Sequence, residues 1–147
     1  MSRVAVHAEA ASDASPDRLF AVLTDWPRHA EWMPFTRAEG GHGVGAGLDA
    51  WTGVGPVGFT DTMVITEWRP GSRVAVRHTG DLVRGEAFFK IVPDGRGSRI
   101  VWAECVDLPL GVLGRIGWLA VGPLMRAFMG IGLRRLARLA GPVGGMR

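Results

Sequence analysis

The sequence predicts an α+β fold, in which a curved antiparallel sheet of about seven strands wraps around one long C-terminal helix and two short helices follow strand 1. Three observations predict it. Residues 3–10 alternate in polarity as a half-buried strand does, residues 36–108 form short β-rich runs separated by glycine turns, and residues 113–139 are helical in texture. An antiparallel sheet must cover its apolar face, and only the last helix is long enough to do so. We expect a single domain over residues 1–147.

Two helix start signals follow the first strand. Ser15-Pro16-Asp17 supplies an N-cap residue, a proline at the first helical position and an acid that suits the helix dipole. Asp25 before Trp26-Pro27 repeats that signal, and Pro34 ends the segment because the residue before a proline avoids helical angles. These signals predict two short helices in series.

The composition limits the class of protein. Cys105 is the only cysteine, so an internal disulfide and a cysteine-rich zinc site are excluded, and a reducing cytoplasm fits this content. The amino terminus lacks the apolar stretch of a secretory signal. A transmembrane helix is not expected, because the apolar stretch Leu108–Met125 contains Arg115 and two prolines and is shorter than the roughly 20 residues needed to span a bilayer.

The charges and motifs give no sign of a nucleic-acid partner or a cofactor. The net charge of +3 comes from 17 basic and 14 acidic residues, with much of the excess near the carboxyl end. The glycine-rich run Gly41–Gly45 lacks the helix start and lysine of a phosphate-binding loop, and we interpret it as a connection between strands. We expect no metal, no nucleotide cofactor and no nucleic acid.

Three ionisable residues are predicted on the apolar face of the sheet. Alternation along each strand places Asp61 beside Met63, His78 beside Val76, and Glu104 beside Trp102 on that face. If the tight turns set the pairing, Met63 lies opposite His78, His78 opposite Gly85, and Ala87 opposite Glu104. Gly85 and Ala87 would then leave room for a ligand between His78 and Glu104.

These three residues have two interpretations. A buried charge must be paired, neutralised or in contact with a ligand, so Asp61, His78 and Glu104 are candidate catalytic acids and bases, or hydrogen-bond anchors for an apolar ligand. Alternatively, a strand bulge turns some of them outward, or an arginine pairs with them. We regard Glu104 as the best candidate, because it lies farther from a strand end.

Apolar residues that face the same side are predicted to line a cavity. The sequence has six tryptophans and no tyrosine, and a tryptophan can stack on a flat ring, although most tryptophans belong to the core. Trp32 is expected near the open end. The predicted ligand-binding residues are Trp102, Trp118, Trp32, Phe59, Met63, Val76, Ala87, Phe89 and Phe128.

The last helix is predicted to roof this cavity. Its glycines weaken it, which suggests a mobile lid, and Gly122-Pro123 marks a kink or a late start. Arg134, Arg135 and Arg138 form a solvated face or contact an anionic membrane surface or an acidic partner. The roofing residues are Leu113, Ile116, Leu119, Ala120, Leu124, Phe128, Ile131, Leu136 and Leu139.

Four segments of the sequence carry a resemblance to a known family. They are Ser15-Pro16 through Leu23-Thr24-Asp25, Trp26 with Trp32-Met33-Pro34, Ile65–Val74, and Pro93-Asp94-Gly95 through Gly97–Ile100. These segments resemble the START-like SRPBCC superfamily, with its polyketide cyclase and dehydrase branch closest. The resemblance covers nearly the whole chain. It implies a helix-grip fold with a cavity between sheet and long helix, but its motifs mark the fold and imply no particular reaction.

Three functions are consistent with these features. The first is binding of a small hydrophobic molecule that is aromatic, polyketide-like or lipid-like. The second is a cyclase, aromatase or dehydratase in which Glu104, His78 and Asp61 move protons, without metal or nucleotide cofactor. The third is a module that binds a membrane surface or a partner protein through the arginine-bearing last helix.

Overall fold

A computed structural model describes residues 2–81, 83–108 and 111–141. Seven strands, a short α-helix, a 3-10 helix and a long α-helix make up these residues. In chain order they are β1 (Ser2–Ser12), α1 (Pro16–Leu23), the 3-10 helix (Trp26–Glu31), β2 (Thr36–Gly40), β3 (Gly47–Val54), β4 (Val57–Arg69), β5 (Arg73–Thr79), β6 (Arg84–Asp94), β7 (Gly97–Leu108) and α2 (Gly111–Leu139).

The seven strands form one antiparallel sheet in the order β1-β7-β6-β5-β4-β3-β2. The first strand pairs with the last along its whole length, from Ser2 opposite Leu108 to Ser12 opposite Ser98. The other strands follow one another as a meander. The predicted α+β, helix-grip class is therefore confirmed.

The two start signals after β1 each begin a helix. The Ser15 side chain accepts a hydrogen bond from the Arg18 amide at 3.2 Å, so it caps α1 as predicted. The second helix is of the 3-10 type, and Trp26 in its first turn donates from Nε1 to the Gly41 carbonyl at 2.8 Å. That bond ties the 3-10 helix to the turn between β2 and β3.

A bulge in β4 changes which face its side chains occupy. Ile65 pairs with Val76, whereas Glu67 pairs with Ala75, so Thr66 is the extra residue. Residues before the bulge keep the predicted alternation, with Ile65 fully buried. After it, Trp68 points inward and packs edge-on against Phe20 of α1.

Helix α2 is packed along its second half only. Met129, Leu133 and Leu136 are fully buried, and α2 lies mainly against β1. The helix is continuous through Pro123, so the predicted late start is wrong. The predicted complete roof is also wrong, because six roofing residues are exposed: Leu113, Ile116, Leu119, Ala120, Leu124 and Ile131.

By length and composition alone, α2 could cross a membrane, since its most apolar 18-residue window has a mean hydropathy of 1.5. Helix α2 begins within the apolar stretch Leu108–Met125 of the sequence and continues beyond it to Leu139, so it is longer than that stretch. Its second half nevertheless lies in the protein core, where Leu133 and Leu136 pack against the inner face of the sheet and the first helices. α2 is thus the core helix of this fold.

Candidate functional site

The strand register brings the three predicted ionisable residues to one place. Met63 lies opposite His78, and His78 lies opposite Gly85. Ala87 lies opposite Glu104. The predicted pairing is confirmed at each of these positions, and all three ionisable side chains point to the inner face.

Asp61, His78 and Glu104, which we call the acid–histidine cluster, are joined by hydrogen bonds. His78 Nδ1 lies 2.9 Å from Asp61 Oδ1, and His78 Nε2 lies 2.9 Å from Glu104 Oε1. The second oxygen of Glu104 accepts a 2.9 Å hydrogen bond from Trp102 Nε1. One imidazole thus bridges two acids, and an indole fixes one of them. The sequence did not reveal that Trp102 holds Glu104.

Strand β6 lies between His78 and Glu104, and its small residues let their side chains meet. Gly85 has a φ of +127°, and a Cβ there would collide with the Cys105 carbonyl and lie 2.7 Å from Val106 Cα. Ala87, the next inward residue, is buried. The expectation that Gly85 and Ala87 leave room for a ligand is therefore wrong, because the hydrogen bond between His78 and Glu104 spans that space.

His78 is held in its charged form. Burial alone would lower the pKa of its imidazole, but the hydrogen bonds and negative charges of Asp61 and Glu104 outweigh burial and raise the pKa to about 10. An imidazole donates from both ring nitrogens only when it is protonated. At neutral pH the cluster therefore consists of an imidazolium between two carboxylates.

The acid–histidine cluster is partly exposed to solvent. The His78 side chain is 4% exposed, whereas those of Asp61 and Glu104 are each 17% exposed. Both acids point to the inner face, and we call the partly exposed surface around them the cleft. The two acids rather than the histidine are accessible to a ligand.

An aromatic wall adjoins the cluster. The Phe89 and Trp102 rings stack with centroids 4.9 Å apart and an interplanar angle of 27°. Trp32 meets both rings edge-on, at 6.4 and 6.5 Å. Trp32 itself is 0% exposed, so its predicted place near an open end is wrong; the sheet and 3-10 helix enclose it. Phe89 and Trp102 remain partly exposed on the inner face.

The other predicted ligand-binding residues are placed at different depths. Met63, Trp118 and Phe128 are half-buried. Val76 and Ala87 are buried, so they support the floor without offering surface. Phe59 is exposed toward the tip of the β3–β4 hairpin, where β5 no longer lies beside β4. The structure therefore does not place Phe59 on the cleft floor.

His29, on the 3-10 helix, is a half-buried residue whose Nδ1 atom is buried, and no sequence pattern identified it. Its ring lies 4.4 Å from the Trp32 ring, and burial lowers its pKa to about 4. Within the described residues, His29 Nδ1 and Trp32 Nε1 are the buried side-chain polar atoms without a hydrogen-bond partner. Alternation rules do not apply to a 3-10 helix, so no pattern could have placed this side chain inward.

Two further depressions lie outside the cleft. One, of about 590 Å³, is lined mainly by outward-facing residues of the sheet, including Ala75, Phe88 and Cys105. The other, of about 770 Å³, lies between β1 and α2 beside His7 and Arg126. The first also has Glu104 among its lining residues, whereas no residue of the acid–histidine cluster lines the second.

The described residues contain no group of histidine, cysteine or acidic side chains arranged to hold a metal ion. Within the same residues, no lysine or arginine nitrogen lies within 4.0 Å of the Asp61 or Glu104 carboxylate; both ion pairs use His78. The interpretation that an arginine neutralises these acids is therefore wrong. The cluster can offer hydrogen-bond acceptors and negative charge to a bound molecule.

Comparisons with known proteins place this chain in a family. The profile of the family described as "Polyketide cyclase / dehydrase and lipid transport" matches residues 3–141. No match was found among curated proteins.

Solved structures share the fold. The protein TTHA0849 from Thermus thermophilus is 19% identical, with a TM-score of 0.77 over 91% of this chain and 94% of that one. The Zhui aromatase/cyclase from Streptomyces sp. R1128 is 16% identical, with a TM-score of 0.73 over 99% and 100% of the two chains. The di-domain ARO/CYC StfQ from the steffimycin biosynthetic pathway is 18% identical, with a TM-score of 0.69 over 95% of this chain and 50% of that one.

At these identities the structural likeness shows the fold alone, while the profile match covers nearly all of the described chain. The chain therefore belongs to the polyketide cyclase/dehydrase and lipid transport family.

Proposed function

We propose that this protein binds a small hydrophobic molecule in the cleft between the inner face of the sheet and α2. The observation that carries the proposal is the acid–histidine cluster beside the stacked Phe89 and Trp102 rings, on a face that solvent can reach. Binding sites of this kind combine apolar walls with a few fixed polar groups. Membership of a family described by polyketide cyclisation and lipid transport supports the same class of ligand.

Dye binding to paired variants tests this proposal. Met63 and Thr60 lie on opposite faces of β4, and Met63 is half-buried beside the cluster while Thr60 is exposed. We expect the neutral dye Nile red to bind the unmodified protein, Met63→Glu to abolish its fluorescence gain, and Thr60→Glu to leave it unchanged. Equal binding by both folded variants would contradict the proposal. Solvent extraction of the purified protein would then identify any natural ligand.

Proton transfer to the bound molecule is the enzymatic form of the same proposal. The aromatase/cyclases among the structural neighbours make such a reaction worth testing here. Because both nitrogens of the charged His78 ring are bonded, Asp61 and Glu104 are better placed than His78 to accept a proton. Any molecule recovered by extraction should then be converted by the protein and bound unchanged by Glu104→Gln. Equal conversion by that variant would exclude this role.

A second candidate function, docking on an anionic membrane, is favoured by the exposed half of α2. Leu119 is 78% exposed, and Val112, Leu113, Ile116 and Leu124 are also exposed. The hairpin valines Val54 and Val57 lie toward the same end of the sheet and are likewise exposed. An apolar patch of this kind marks a site of interaction.

The charge of α2 favours an anionic lipid surface over a second copy of the chain. Its charged residues are all arginines, namely Arg115, Arg126, Arg134, Arg135 and Arg138, and each is exposed. Two such helices would repel each other, whereas anionic headgroups attract basic residues beside an apolar patch.

Vesicle sedimentation tests the docking. We expect the protein to sediment with phosphatidylcholine vesicles that contain phosphatidylglycerol, and less with phosphatidylcholine alone. Leu119→Glu should reduce sedimentation, while the control Val92→Glu, at an exposed position on β6, should not. Dimerisation without vesicle binding would overturn this candidate.

A further inference from the structure

We propose that the cleft selects apolar ring molecules that donate hydrogen bonds through a hydroxyl or a protonated nitrogen, and that it disfavours anionic ones. This inference rests on the proposed ligand-binding function and names the chemistry of the ligand.

The first argument is a count of donors and acceptors. Both N–H groups of His78 are used by the two acids, and the N–H of Trp102 is used by Glu104. The cluster therefore has no free donor. Asp61 Oδ2 has no hydrogen-bond partner within residues 2–81, 83–108 and 111–141, and its carboxylate is reachable from the cleft. A ligand that satisfies this oxygen must itself donate a hydrogen bond.

The second argument is the charge of the cluster. Two carboxylates share one imidazolium, which leaves one negative charge in excess. The nearest arginines along the neighbouring strands, Arg77 and Arg84, alternate to the opposite face and are exposed. A carboxylate or phosphate brought into the cleft would therefore meet repulsion from Asp61 and Glu104, in surroundings that screen charge less than water does.

The third argument is the shape of the wall. The stacked Phe89 and Trp102 rings present a partly exposed aromatic surface next to Glu104. Such a surface suits a flat apolar body and also attracts a cation placed over a ring face. A hydroxylated aromatic or an aromatic ammonium can contact the aromatic wall with its ring and donate a hydrogen bond to an acid at the same time. A fatty acid would instead place its carboxylate beside the negative charges of Asp61 and Glu104.

Three probes with the same naphthalene body isolate this chemistry. At neutral pH, 2-naphthol is uncharged and donates, 2-naphthylmethylamine is a cation that donates, and 2-naphthoate is an anion. Isothermal titration should give Kd values for the first two that are at least about tenfold lower than the Kd for naphthoate. Asp61→Asn should narrow that ratio, while Asp49→Asn, an exposed acid on the outer face of β3, should leave it unchanged.

The outcomes separate this inference from the function on which it rests. If naphthoate binds the unmodified protein as tightly as naphthol, the proposed selectivity for donors over anions is wrong, whereas the proposed hydrophobic binding site is supported. If no naphthalene probe and no Nile red binds, both are wrong. The comparison of probes on the unmodified protein needs no variant to fold, so it decides the question even if Asp61→Asn is unstable.

Discussion

At the scale of single residues, His78 controls the charge of the site. Its ring is buried and donates to two acids, so the folded protein holds its proton to a pH of about 10, against an ordinary value of 6.5. The stabilisation that this proton provides is complete below the ordinary pKa and is lost as the pH rises through the raised pKa. The histidine is thus a fixed counter-ion at neutral pH.

This charge predicts how stability depends on pH. The free energy of unfolding should fall between pH 6.5 and about 10, by up to about 1.4 kcal/mol per pH unit. Urea denaturation at several pH values measures it. His78→Gln should remove this dependence and cost about 3 kcal/mol near neutrality, because two acids lose their counter-ion. His7→Gln, on the exposed outer face, is the control. A flat profile in the unmodified protein would show that His78 is neutral.

His29 predicts a second pH dependence, a loss of stability on the acidic side of the same stability–pH profile. Because burial lowers its pKa to about 4, the unfolded chain takes up its proton first as the solution is acidified. Stability should therefore decrease from pH 6.5 toward 4. His29→Phe should flatten this limb, as measured by the same denaturation series. An unchanged acid limb in that variant would assign the loss to other groups.

At the scale of elements, the close approach of β6 to β7 makes the cluster possible. Gly85 combines a positive φ with contact distances that exclude a Cβ. Gly85→Ala should cost at least about 2 kcal/mol and separate His78 from Glu104. Gly47→Ala, at a strand glycine with open space around it, should cost far less. Thermal unfolding measures both, and equal losses would contradict this role for Gly85.

The exposed first half of α2 gives a second prediction at this scale, a gain in stability on substitution of a glycine. Gly117 has no atom close to its missing side chain, so Gly117→Ala should stabilise the protein by up to ~1 kcal/mol through helix propensity alone. Calorimetric unfolding measures this gain. A loss of stability would show that this part of α2 is not a free helical surface.

Strand alternation and turn positions determine how much of this structure could be predicted from the sequence. Alternation and turn positions identified the facing of Asp61, His78 and Glu104, because β4 keeps its register up to the bulge after Ile65. The same rules could not show that α2 packs on the sheet mainly through its second half, since apolar residues surround its first half on most sides. They also could not foresee that His78 bonds to both acids, which depends on side-chain rotamers.

At the scale of the whole molecule, the sheet and the second half of α2 pack together as the core. The first half of α2 is exposed and leaves the acid–histidine cluster partly open to solvent. The apolar surface of α2 and the hairpin valines Val54 and Val57 lie toward the same end of the sheet as this opening. A molecule leaving a bilayer at that end would meet the cleft directly. If both proposed functions hold, ligand entry and membrane docking therefore take place at the same end of the molecule.

Ring-nitrogen NMR of the histidines tests the central claim most directly, namely that a charged His78 lies where the ligand binds. At pH 8 we expect both ring nitrogens of His78 to be protonated, since its pKa is raised to about 10. Addition of 2-naphthol should shift both His78 signals and leave those of exposed His7 unchanged. A neutral His78 ring that titrates near 6.5 and ignores the bound naphthol would contradict the account.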